Sequence, residues 1–291
     1  MPPPLTLPRL LLAALLAVPW LPAAAADPQA KPISVATYNL RLDLTSDGPN
    51  AWPHRRDAVK ALVGRYGFEI MGTQEGLPHQ IRDLEAMAGF TRVGVGRDDG
   101  RAEGEHAAIF FRHSRFEALD RGDFWLSQTP ERPSIGWDGR CCKRIASWVK
   151  LRDRGDGQVF FVFNAHFDHE GVQARRESAL LMLRRIADLA GPLPVICMGD
   201  FNALPDSEAV RSLGAVLRDS RAASLAPPVG PVGTFNGFER YAPLRDRIDY
   251  VFVSPQWRVL RYAALDDSVD GRYPSDHLPV AVQLVLEPGA R

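Results

Sequence analysis

The chain has 291 residues, 45% hydrophobic and 24% charged, a balance that suits one large domain or two small ones and excludes a disordered, collagenous or coiled-coil chain. Its 35 basic residues meet 35 acidic ones, so the overall basic excess of a protein that grips many phosphates of a long nucleic acid is missing. Three cysteines, Cys141, Cys142 and Cys197, do not describe a disulfide framework.

Residues 1–26 read as a secretory signal peptide. Arg9 sits in a weakly positive start, Leu10 to Leu21 form an apolar run broken by Pro19, and Ala24, Ala25 and Ala26 offer small residues before Asp27. The run is too short for a spanning helix. The expectation is export to the periplasm or the extracellular space, leaving residues 27–291 as a single domain. Removing residues 1–26 takes away Arg9 alone, so the remainder stays near neutral. No later segment approaches ~18 uncharged apolar residues, so no stable membrane insertion is expected. The sequence is read as a monomer.

Ile33 to Leu40 is a strand run, and Arg55 to Tyr66 has helical spacing through Ala58, Val59, Leu62 and Val63. Phe68 to Thr73 reads as a strand and Pro78 to Ala88 as a helix. Ala107 to Phe111 and Phe116 to Leu126 read as extended. Ile145 to Leu151 and Val159 to Ala165 form a hairpin pattern around Arg154-Gly155-Asp156-Gly157, an Asp-Gly turn signal. Val172 to Leu189 is the longest helix, and Leu193 to Met198 is a buried strand that contains Cys197. Cys141 and Cys142 are adjacent, a bond between neighbours is strained, and their state stays open. Asp206 is placed to cap a short helix through Leu213. The stretch 222–233, rich in Pro and Gly, reads as an exposed rim loop. Arg247 to Val253, Val259 to Leu265 and Val280 to Leu286 are the closing strands. Strands outnumber helices and are often adjacent, which predicts two mixed sheets packed together with helices outside, an α/β (α+β) architecture.

Polar clusters sit at the strand ends, where α/β folds build sites. They are Tyr38-Asn39-Leu40-Arg41, Gln74-Glu75, Asn164-Ala165-His166-Phe167-Asp168-His169, Gly199-Asp200-Phe201-Asn202, Arg247-Ile248-Asp249-Tyr250 and Ser275-Asp276-His277. Together they supply carboxylates, side-chain amides and two histidines. A hard cation such as Mg²⁺ takes oxygen ligands and keeps waters. Hydrolysis of a phosphoester needs its oxygens neutralised, a water deprotonated and the departing oxygen stabilised. An Asp–His pair makes a suitable base. A serine triad is excluded: Ser275, Asp276 and His277 are consecutive, and no Gly-x-Ser-x-Gly elbow occurs. A zinc hydrolase centred on His166, Asp168 and His169 lacks the leading histidine, because position 164 is Asn.

In this order the six clusters resemble the endonuclease/exonuclease/phosphatase superfamily, from about Ile33 to Leu286, and the stretches Glu105-His106-Ala107-Ala108-Ile109-Phe110-Phe111 and Gly233-Thr234-Phe235 resemble its deadenylase-like and lipid-phosphatase-like branches. The resemblance implies a four-layer α-β-β-α sandwich and a Mg²⁺- or Mn²⁺-dependent phosphoesterase. It implies metal roles for Glu75, Asn39 and Asp276. It implies catalytic roles for His277, Asp249, His166, Asp200 and Asn202, with His277 supported by Asp249 as base or as phosphate stabiliser. Arg41, Arg144 and Asp168 fall on the substrate-phosphate side. Position 41 is Arg where exonuclease-like members carry an acidic residue, and Phe235 or Trp137 is placed to stack from the rim. A small phosphoester, a phospholipid head group or a short nucleic acid is the implied substrate. The alternatives are a nuclease or deadenylase, and a non-catalytic binding protein on the same fold.

Overall fold

The computed structural model describes residues 31–287, and the expected signal peptide lies outside them. In chain order the elements are β1 (Ile33–Asn39), α1 (Trp52–Tyr66), β2 (Ile70–Gln74), α2 (Pro78–Glu85), β3 (Phe90–Val93), β4 (Ile109–Arg112), β5 (Phe116–Trp125), β6 (Ile145–Asp153) and β7 (Val159–His166). Then follow α3 (Val172–Ala190), β8 (Val195–Asp200), α4 (Glu208–Gly214), β9 (Arg218–Asp219), α5 (Ser220–Ala223), β10 (Asp249–Val253), β11 (Trp257–Ala264) and β12 (Val280–Leu286). They form two six-stranded mixed sheets, ordered β11-β12-β1-β2-β4-β3 and β5-β6-β7-β8-β10-β9. No helix of the described residues is long and apolar enough to cross a membrane.

Alternation along the strands makes the layers. Val35, Ile70, Ile109 and Phe111 of the first sheet pack against Val149, Phe160, Val162, Ile196, Met198 and Val251 of the second. The alternate residues of each strand face outward. Ala36, Tyr38, Met71 and Phe110 receive α1 and α2 through Val59, Leu62, Ile81 and Leu84. On the far side Phe161, Phe163, Cys197 and Phe252 receive α3 and α4 through Ala179, Met182, Ile186 and Leu213. The result is the four-layer sandwich expected from the strand-rich order.

One polar contact crosses the dry interface. Asn164, fully buried on β7, donates from Nδ2 to the carbonyls of Thr73 and Ala108, both at 2.9 Å, and accepts from Gln74 Nε2 at 2.6 Å. It fits because Gly72 faces it: a Cβ there would lie 2.7 Å from Asn164 Oδ1. Three satisfied hydrogen bonds offset the desolvation of the amide, and they fix the spacing of the sheets beneath the strand ends.

Three local expectations change. Ser207, not Asp206, caps α4, its side chain accepting from Val210 N at 3.2 Å. β3 carries no buried alternation except at Val93, and pairs as an edge strand with β4; short, half-exposed edge strands leave little pattern. Cys141 and Cys142 form a disulfide, which settles the state left open above.

Asn164→Ala is expected to lower stability by about 3 kcal/mol, since it leaves buried carbonyls unpaired. The Gly72→Ala, Asn164→Ala double variant should recover part of that loss, because the new methyl enters the vacated space. Denaturant midpoints of the four proteins in this cycle check both statements, and strict additivity would rule out the contact as the spacer.

Candidate active site

The alternation that builds the interior also builds the site. On β1 the inward series Val35, Thr37 ends at Asn39; on β7 Val162 and Asn164 lead to His166. On β8 Ile196 and Met198 lead to Asp200, and on β10 Val253 and Val251 lead back to Asp249. Pairing registers place His166 beside Asp200 and Asp200 beside Asp249. The last inward residue of each strand is therefore polar, and all four lie at one end of the sandwich.

His277 precedes β12 and reaches the second sheet. Its Nδ1–H donates to Asp249 Oδ2 at 2.9 Å, leaving Nε2 towards Asp200 Oδ2 at 3.8 Å. Thr234 Oγ1 donates to the same Asp249 oxygen at 2.6 Å and accepts from the backbone N–H groups of Ile248 and Asp249. Burial disfavours a charged His277, but the carboxylates of Asp249 and Asp200 outweigh it and hold the ring well above its ordinary pKa. His166 goes the other way. Burial, then the nearby Arg144 and Arg97, push it well below the ordinary value. Its Nε2 accepts from Asn202 Nδ2 at 3.1 Å, and Arg144 Nη1 lies 3.1 Å from the same atom, as a neutral ring requires. The two rings are thus shifted in opposite directions.

Asn39 spans the seam between the sheets. Its Nδ2 donates to Glu75 Oε1 at 3.1 Å and to Asp200 Oδ2 at 2.9 Å. Its Oδ1 is taken by the Arg41 N–H at 2.9 Å. The amide thus positions the two carboxylates that flank it. Asp276 likewise sits against Arg41, 3.7 Å from Nη1. It belongs to neither of the groups able to hold an ion among the described residues, which are Glu75–His166–Asp200 and Asp200–Asp249–His277. Those groups also exclude Asp168 and His169, the core of the zinc alternative.

Arg41 lines the pocket, with Nε and Nη2 paired to Asp47 at 2.9 and 3.0 Å and Nη1 left towards Asp276. Arg144 also lines it and donates to His169 Nδ1 at 2.7 Å. Asp168 does not face the pocket. Its Oδ1 accepts from Glu170 N and Gly171 N ahead of α3, and Oδ2 lies 3.6 Å from Arg144 Nε. A carboxylate there repels phosphate, so Asp168 holds Arg144 and does not bind substrate phosphate. Trp137 packs with the α3 layer, whereas Phe235 stands on the rim, 41% exposed and edge-on to His277 at 5.1 Å.

Four groups were given no site role by the sequence reading. Glu105 is buried and bound to Arg97 at 2.6 Å, and its carboxyl lies 3.7 Å from His166 Nδ1. Arg55, buried on α1, donates to the carbonyls of Leu40, Arg41, Asn50 and Pro274, so it pins the loops that carry Asn39 and His277. Thr234 orients Asp249, and Ser275 Oγ donates to Asn39 O at 2.7 Å. Arg41, Glu75 and Asn202 all adopt left-handed backbone, with φ of 55°, 62° and 46°. Each costs on the order of 1 kcal/mol, strain that concentrates at functional sites.

The walls enclose a pocket of about 530 Å³, into which Glu75, Glu105, Asp200 and Asp276 all face. Burial pushes Glu105 and Asp200 up to about 7, and Asp249 adds to the rise at Asp200. Crowded carboxylates raised in this way suit a hard divalent cation. Glu75 and Asp200 offer oxygens within 4.8 Å of each other and of a His166 nitrogen.

The sandwich and this donor set define a metal-dependent phosphoric ester hydrolase. Residues 36–277 match the model of the Endonuclease/Exonuclease/phosphatase family, and the chain belongs to that family. A solved endonuclease/exonuclease/phosphatase family protein from Bacteroides thetaiotaomicron is 41% identical, with TM-score 0.84, over 89% of this chain and 99% of that one. The mannosyl-6-phosphatase Bt3783 of Bacteroides thetaiotaomicron VPI-5482 is also 41% identical, with TM-score 0.83, over 87% of this chain and all of that one. The uncharacterized protein L388 of Acanthamoeba polyphaga mimivirus is 26% identical over 161 residues, 52% of this chain, and the match spans only 59% of that relative's length.

Anion binding to the metal-free protein should depend on pH in a defined sense. Below about 7 the raised Asp200 and Glu105 carboxyls are neutral, and above it they ionise and repel an anion. Sulfate, whose charge is constant there, is expected to bind several-fold tighter at about pH 6 than at about pH 8. Calorimetric titration with chelator present checks this, and Asp200→Asn should flatten the difference.

Proposed function

We propose that the chain is an exported phosphomonoesterase that hydrolyses small phosphate esters, sugar phosphates among them, with Mg²⁺ or Mn²⁺. The observation that carries this reading is the walled pocket of about 530 Å³, with histidines and arginines at its floor and apolar groups at its rim. Its size suits one small molecule better than a polymer strand. The near-neutral charge supports the same choice against a nuclease, and so does 41% identity to a mannosyl-6-phosphatase over nearly the whole chain. The apolar run in residues 1–26 supports export, and a disulfide at Cys141–Cys142 is the form an oxidising compartment maintains. A non-catalytic protein has no use for four carboxylates crowded into one pocket.

The roles follow from the protonation states. A ring held protonated has no lone pair to take a proton, so His277 with Asp249 is assigned to neutralising a phosphoryl oxygen, not to water activation. Asp200, buried at the end of β8 and lining the pocket beside His277, is assigned as the base. Its Oδ1 accepts from Asn202 N at 2.9 Å, which fixes the carboxylate plane. Neutral His166 and Asn202 orient the attacking water or the phosphate, and Arg144 and Arg41 Nη1 hold its remaining charge. Glu75 would hold the cation, which when bound supplies charge stabilisation at the phosphate and the departing oxygen. Water oxygen bonds to phosphorus as its proton passes to Asp200, the phosphorus–ester oxygen bond breaks, and the departing oxygen takes up that proton to leave as the alcohol.

Purified protein with Mg²⁺ or Mn²⁺ should release phosphate from hexose 6-phosphates faster than it cleaves bis(4-nitrophenyl) phosphate or single-stranded RNA. Chelation or Glu75→Ala should abolish turnover. Asp200→Asn should cost at least about 10³-fold in kcat, the scale of a lost general base. Preferential cleavage of the diester or the RNA would replace the monoesterase reading with a nuclease one. Asp200→Asn at full activity would remove the base assignment.

A further inference from the structure

We infer that the Cys141–Cys142 disulfide and Phe235 form a ring-binding subsite that holds the sugar of a sugar phosphate while its phosphate sits on the polar floor. This inference rests on the phosphomonoesterase reading above and adds the part of the substrate that the floor does not touch.

The pocket lining is mostly polar, with Arg144, His166, Asp200 and His277 at or next to the strand ends, and its apolar surface comes from Cys141, Cys142, Phe235, Leu42 and Ile248. Cys141 is exposed and Cys142 half-buried, so the disulfide presents a face to the pocket instead of cross-linking the interior. The pair lies in the connection between β5 and β6, and that connection is anchored on both sides. Asp138 accepts from the N–H groups of Gln173 and Ala174 at 3.0 and 2.6 Å. Lys143 Nζ donates to Asp98 O at 2.7 Å, and Arg144 O accepts from Leu126 N at 2.8 Å. Between these anchors the disulfide closes a compact ring, so a loop that would otherwise swing becomes a fixed wall. A wall that is rigid before binding loses little entropy when a ligand packs on it.

The chemistry of the wall selects the occupant. Carbon and sulfur at the rim are polarisable and lack strong hydrogen-bonding groups, which suits the C–H face of a pyranose. The edges carry hydroxyl partners: the Glu105 carboxylate, the Asn202 amide and His169 all line the same pocket. A nucleobase prefers flanking aromatic faces, and Phe235 is the one phenyl, phenol or indole ring among the lining residues. An apolar face with polar edges beside a phosphate floor therefore fits a hydroxylated ring.

The test compares the wild-type protein, the Cys141→Ser, Cys142→Ser double variant, and wild type reduced with a phosphine and then reoxidised. Binding of glucose 6-phosphate, glycerol 3-phosphate and adenosine 5′-monophosphate is read by calorimetry with chelator present, and turnover is read separately with Mg²⁺. Opening the disulfide by either route should weaken glucose 6-phosphate about tenfold, equivalent to about 1.4 kcal/mol, and leave glycerol 3-phosphate within about twofold. Reoxidation should restore the affinity, which separates wall loss from misfolding of the variant. Equal losses for the two esters, or none, would overturn the subsite. A larger loss for the nucleotide than for the sugar phosphate would also overturn it, in favour of a base-binding wall. Absence of turnover on every ester with the binding pattern intact would sink the phosphoesterase reading and leave the ring subsite standing.

Discussion

The two hydrogen bonds from the Asn39 amide are the contact on which the site depends. Glu75 follows the end of β2 in the first sheet, and Asp200 ends β8 in the second. Two carboxylates at that spacing repel, and nothing in a sandwich requires its sheets to end level. Asn39 Nδ2 lies between them and donates to both. It converts a repulsive juxtaposition into a shared donor and ties the edges of the sheets together. The elements around it keep it there. Asn164 and Gly72 set the sheet spacing one pleat below, Arg55 pins the Leu40 and Arg41 carbonyls from α1, and Ser275 Oγ holds the Asn39 carbonyl. A slip of one residue in β1 would turn Asn39 to the outer face and disconnect all of this.

The opposite behaviour of two equally buried histidines shows which effect wins at each. Burial alone lowers both. At His277 it meets Asp249 in hydrogen-bond contact and Asp200 across the pocket, and opposite charge at such short range in a poorly screened interior outweighs desolvation. At His166 the guanidiniums of Arg144 and Arg97 add to burial instead of opposing it. Glu105 lies close to His166 but is itself bound to Arg97 and raised, so it supplies little countercharge. The pocket thus favours the cationic form of one imidazole and the neutral form of the other, an arrangement suited to binding a phosphoryl group on one side and orienting it on the other.

The strand ends were legible because a period of two is visible in sequence. Where an apolar alternation stops on Asn39, His166, Asp200 or Asp249, the stopping residue shares the interior face and must be buried beside its neighbours' last residues. The layers were legible for the same reason. What escaped was held by contacts between distant segments. Arg55 reads as an ordinary polar position at a helix start, and only the fold brings carbonyls from 40–41, 50 and 274 around it. Glu105 and Arg97 lie in an irregular loop with no period to mark them. Asp168 could not be separated from the phosphate ligands until α3 showed which N–H groups it accepts from. The left-handed turns at Arg41, Glu75 and Asn202 gave no glycine to announce them.

Chemistry and selectivity are also separable in where they sit. The floor is made by strand ends whose positions are dictated by two paired sheets, so it can vary little without unfolding the interior. The rim draws on the long connections 126–144 and 224–248, which bring Cys141, Cys142 and Phe235 to the pocket. A loop chooses substrates well only if it is stiff, and these two are stiffened by different means. The first is held by Asp138 at α3, by Lys143 and by its own disulfide. The second is stitched to the site itself, since Thr234 binds Asp249 and Asn236 Nδ2 donates to Ser275 O at 3.0 Å. The second rim therefore moves only with the His277–Asp249 pair, while the first can change without disturbing it. Divergence in substrate at constant chemistry should accordingly concentrate in the disulfide-bearing loop.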